Sequence, residues 1–74
     1  MRIEIEEIKR VAEEIVEIAE GSGEPFAEKV IDQIAFYVGR RKFVADEVID
    51  LVSHVAVTVK ALNEWRVANG MKAL

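Results

Sequence analysis

His54-Val55-Ala56-Val57-Thr58-Val59 is the stretch on which the fold class turns. Its letters alternate, and its β-branched residues suit a pleated, half-buried strand. The flanks argue the other way. Asp46 to Val52 and Ala61 to Val67 carry apolar residues at three- and four-residue steps, the period of an α-helix. A strand here would need a turn at each end, and no glycine or proline stands between Phe43 and Asn69. The pattern predicts one helix over about 43–69, stopped by Gly70. At 1.5 Å per residue such a helix would span about 40 Å.

Upstream, Pro25 suits the first turn of a helix, where its missing N–H costs nothing. A second helix is expected over about 25–38, with Phe26, Val30, Ile34 and Tyr37 along one side and Ala27, Ile31 and Val38 beside them. Gly39 is its expected stop, and Arg40, Arg41 and Lys42 complement its negative end. The first helix is expected over about 3–20. Ile8, Val11, Ala12, Ile15, Ile18 and Ala19 form its apolar stripe, and Gly21-Ser22-Gly23 ends it. Glu6, Glu7, Glu13, Glu14, Glu17 and Glu20 read as its solvated face, with Lys9 and Arg10 three residues after Glu6 and Glu7.

The chain therefore reads as one all-α domain over 1–74, with no internal repeat. Its size is the difficulty. A core built from 74 residues rarely nets more than about 3–5 kcal/mol without a disulfide, a metal or a partner chain. There is no cysteine and a single histidine, so disulfides and an ordinary zinc site within one chain are both excluded. Hydrophobic residues make up 51%, generous for so small an interior. The expectation is a three-helix chain whose bundle is completed by homo-oligomerisation, as a dimer or tetramer.

Charged residues reach 32% and the net charge is −4. That balance argues against a nucleic acid partner. The longest uncharged run, Leu51 to Val59, is far short of a bilayer span, and Met1-Arg2-Ile3-Glu4 has no signal-peptide character. A cytoplasmic location without a membrane partner is expected. Abundant Glu, Lys and Arg without cysteine suit a thermophilic protein.

A wheel at about 100° per residue divides the third helix into three sides. Val44, Val48, Leu51, Val52, Val55, Val59 and Leu62 form the expected core face. Asp46, Ser53, Lys60, Asn63 and Glu64 lie opposite. Between them runs a mixed stripe of Phe43, Glu47, Asp50, His54, Val57, Ala61 and Trp65. Two readings fit that mixture. In one, the apolar members are a subunit seam with the acids at its wet rim. In the other, the acids form a polar site inside a helix–helix contact, because residues three apart on a helix are neighbours and can share one hard cation.

Glu47-Val48-Ile49-Asp50-Leu51-Val52-Ser53-His54-Val55-Ala56-Val57 resembles the second motif of the phosphoribosyl-ATP pyrophosphohydrolases, within the MazG-like all-α nucleotide pyrophosphohydrolase superfamily. That motif reads Glu-x-x-Asp-Leu-x-x-His-x-x-Val, and Glu47, Asp50, Leu51, His54 and Val57 match it. The resemblance covers roughly residues 25–65. It implies a Mg²⁺-dependent hydrolase that cleaves a nucleotide between its α and β phosphates and releases pyrophosphate. Glu47, Asp50 and His54 would be its catalytic group.

The first motif of that superfamily, Glu-Glu-x-x-Glu or Glu-x-x-Glu on the preceding helix, is matched less well. By position it falls on Glu28 and Asp32, which would complete the metal set with Glu47 and Asp50. Lys29 then stands where an acid is usual and Asp32 where glutamate is usual. Glu14 and Glu17 on the first helix are the alternative pair and reproduce the letters better. His54 could also serve simply as a hydrogen-bond partner of a carboxylate. Arg40, Arg41 and Lys42 could hold phosphates, and Trp65 and Tyr37 could stack a nucleobase, or each could be structural. The alternative to catalysis is an interaction module, such as an adaptor, regulator or structural subunit, that associates through Phe43, Val57 and Trp65.

Overall fold

The structure, a computed structural model, describes residues 4–74. Among these it consists of α1 (Ile5–Gly21), α2 (Phe26–Arg41) and α3 (Ala45–Ala68). The expected start of the first helix at Ile3 lies outside the described residues. The alternating stretch His54–Val59 lies inside α3, as its flanks require. No described helix is long and apolar enough to cross a membrane.

Two of the three stops are as expected. Gly23 and Gly70 both take a positive φ of 74°, which an L side chain resists. The stop of α2 is not Gly39. The helix runs through that residue to Arg41, and Lys42 closes it in the left-handed conformation at φ 54°. The N–H groups of Lys42 and Phe43 both donate to the Val38 carbonyl. A left-handed cap on lysine leaves no mark in the sequence, because glycine is the residue that normally signals it.

The core is built around α1. Ile8, Val11, Ala12, Ile15, Val16 and Ala19 are all buried, and Leu51 and Val55 of α3, Val30 of α2 and Phe43 of the α2–α3 connection close over them. Ile18 is more exposed than expected and Val16 takes its place. The cause is unequal packing: α1 contacts α3 more extensively than α2. Val16 stands one turn before Glu20, whose carboxylate meets Arg66 of α3 at 3.4 Å. Ile18 stands one turn after Glu14, which meets Tyr37 on the lightly packed α2.

The α2–α3 contact is slight. α1 therefore lies between α2 and α3. The Cα extents are 43 × 21 × 14 Å. Val44 and Val52, expected in the core, lie exposed because no other described helix covers them. Val30 is the one buried residue of α2, and Ile31 is 65% exposed.

Candidate functional site on the third helix

The mixed stripe of α3 does not behave as one surface. Phe43, at its head, is 8% exposed and belongs to the core. It cannot form part of a free seam. Val57 and Trp65 are exposed at 66% and 57%, as a seam would require. Asp50 and His54 are half-buried on the same flank.

Glu47 is the only buried charged side chain among the described residues, at 3% exposure. Its position explains why burial is tolerated. It is the third residue of α3, and its Oε1 accepts the backbone N–H of Val44 at 2.9 Å. Valine has no side-chain acceptor, so this is the reciprocal half of a capping box without its usual serine or threonine. A carboxylate at this end also faces the positive pole of the helix. No buried side-chain nitrogen or oxygen among the described residues lacks a partner.

The other expected ligands are scattered. Glu28 and Asp32 are exposed on α2, with Glu28 in its first turn. Glu17 is exposed on α1. Glu14 accepts the phenol O–H of Tyr37 at 3.3 Å and ties α1 to α2. Among the described residues, no three or more histidine, aspartate and glutamate side chains are grouped so as to hold a metal ion. One chain thus offers Glu47 and Asp50 near each other, with one Glu47 oxygen already bonded to the backbone. That donor set does not by itself fit the Mg²⁺ centre implied by the resemblance.

Arg40, Arg41 and Tyr37 are engaged within the chain. Arg41 pairs with Glu7 across α1 and α2, and the Arg40 guanidinium lies 5.9 Å from the centre of the Phe36 ring. Tyr37 packs edge-to-face on Phe36 at 5.4 Å. Burial pushes the Tyr37 phenol above its usual pKa; the Glu14 charge and hydrogen bond add to this, and Arg41 and Arg40 oppose it. Thr58 donates its hydroxyl to the His54 carbonyl at 2.7 Å, which satisfies a polar group inside the helix.

Sequence reasoning missed the segment after α3. The Met71 N–H returns to the Arg66 carbonyl at 2.8 Å, and Arg66 Nε donates to the Lys72 carbonyl at 2.8 Å. The Leu74 N–H donates to Asn63 Oδ1 at 2.8 Å. Residues 69–74 therefore fold back on the last turns of α3. Gly70 was the available signal for the reversal, but nothing local named Asn63 as its partner.

Comparison with known proteins finds no matching family model, curated protein or solved structure.

Proposed function

We propose that this chain is a self-associating helical module whose bundle is completed by a second copy of itself. Surface area carries this reading. The chain exposes 5223 Å², whereas a closed monomer of 8.3 kDa exposes about 4,600 Å² by the relation of surface to mass. The surplus of about 600 Å² approaches the roughly 800 Å² that each partner buries in an ordinary specific interface. Its chemistry fits as well: Ile31, Val44, Ile49, Val52 and Val57 are all exposed. Scattered exposed apolar residues are normal, but here Val44, Ile49, Val52, Val57, Trp65 and Val67 are concentrated on α3 and its N-cap.

The role supported is that of an adaptor, regulator or structural subunit acting through assembly. Sedimentation or light scattering across micromolar concentrations tests it. A dimer or tetramer is expected; a monomer throughout would remove the reading.

The pyrophosphohydrolase reading is supported by one arrangement: Glu47, Asp50 and His54 follow one another along a flank of a continuous helix. It requires further acids from another subunit, so it too depends on association. If it holds, Mg²⁺ or Mn²⁺ raises the melting temperature, because a ligand of the native state stabilises it. Asp50→Asn would abolish that rise without unfolding the chain. Failure of any nucleoside triphosphate to yield pyrophosphate would eliminate it.

A further inference from the structure

Ala45, Ile49, Val52, Ala56, Val59 and Asn63 are separated by alternating steps of four and three residues. This is the a/d spacing of a helix that packs along another helix. It differs from the core face of α3, which centres on Leu51 and Val55. Ile49 is 64% exposed and Val52 46%, Ala45 and Ala56 are exposed, and Val59 and Asn63 are half-buried. So the described elements leave Ala45, Ile49, Val52 and Ala56 of this stripe uncovered, while Val59 packs at the edge of the core and Asn63 holds the Leu74 N–H of the returning tail. The alanines would let another backbone approach closely.

We propose that α3 of a second copy lies antiparallel along this stripe. The inference rests on the self-association reading and adds its geometry. In an antiparallel pair an a position meets a d position of the partner. The spacing here allows this without a mismatch. Ile49 meets Val59 of the second copy, and Val52 meets Ala56.

Charge selects this direction. Asp46 and Lys60 occupy the flanking e positions, and antiparallel helices face e against e. With the layers in that register, Asp46 of each copy lies opposite Lys60 of the other, so the pair forms twice. Ser53 lies between them, near the two-fold axis. A parallel pair would face Lys60 with Val55 and leave both charges without a counterpart. Within the chain, Lys60 makes only a loose contact with Glu64, at 3.9 Å and with both side chains largely exposed. Its ammonium can turn toward a partner at little cost.

The test is a charge swap on the full chain, read as the dimer dissociation constant by sedimentation. Asp46→Lys sets lysine against lysine twice, and Lys60→Asp sets aspartate against aspartate twice. Each single variant is expected to weaken self-association by roughly tenfold, because like charges facing across an interface are penalised. An equimolar mixture of the two variants is expected to form a heterodimer at near wild-type affinity, since both contacts then join opposite charges. Loss of helix stability within one chain cannot produce that recovery. Single variants that dimerise like wild type, or a mixture that fails to pair, would overturn the antiparallel geometry while leaving self-association intact. A wild-type chain that stays monomeric would remove both.

Discussion

The Val44 N–H points at the Glu47 carboxylate, 2.9 Å away, across the first turn of α3. One side chain thereby closes the start of the longest helix and accounts for the single buried charge among the described residues. The same glutamate heads the motif from which a metal centre was expected. Its structural work is visible within one chain, and any catalytic work would have to come in addition to it.

Glu47→Ala removes that acceptor and leaves the Val44 N–H without it. The expected loss is about 1–2 kcal/mol, the usual cost of a helix cap. Glu47→Gln, which keeps an acceptor oxygen, should lose less. Urea unfolding followed by helical circular dichroism measures both, and equal stability of the alanine variant and wild type would refute the capping role.

Lys42 closes α2 at φ 54°, a region that costs a side chain with a Cβ on the order of 1 kcal/mol. Lys42→Gly should therefore stabilise the fold by about 0.5–1 kcal/mol, part of the gain being offset by the greater freedom of glycine in the unfolded chain. Lys42→Val should destabilise it. Thermal melts rank the three, and valine matching glycine would show that the left-handed cap does not matter.

Leu51 is fully buried between α3 and α1. Leu51→Ala should cost about 2–5 kcal/mol, close to the whole stability that a core of this size supplies. Val57→Ala, on the exposed flank, should change the stability of the isolated chain by less than about 0.5 kcal/mol. A variant of Leu51 that melts like wild type would contradict the assigned core.

Tyr37 gives a pH dependence whose sign can be worked out. Its pKa is raised in the folded chain above the ordinary value of 10.0, so folding favours the protonated phenol. That contribution is complete below the unfolded pKa and is lost as pH rises through the folded one. Stability should therefore decline in alkaline solution above about pH 10, and Tyr37→Phe should flatten the decline. Tyr37 is the single tyrosine of the chain, so tyrosinate absorbance follows it alone. Titration at or below the ordinary value would contradict the Glu14 contact.

Much of the architecture could be read from local pattern. The α1 stripe from Ile8 to Ala19, the reversal at Gly23 and the stop at Gly70 follow from helical periodicity and from glycine's access to positive φ. The strand-like run His54–Val59 was decided by its flanks. The candidate site was less legible. A motif names residue types at a spacing, but whether Glu28, Asp32, Glu47 and Asp50 converge depends on how α2 and α3 are rotated about α1.

The sequence by itself determined three helices, their order and most of their ends, because dihedral preference and apolar spacing act between residues a few positions apart. Only the tertiary structure decided that Val16 rather than Ile18 enters the core, that Phe43 is interior while Val52 is not, and that Glu47 is buried. Each of those depends on which neighbouring helix arrives at that face. In this chain α1 receives both of its neighbours, while α2 and α3 hardly meet.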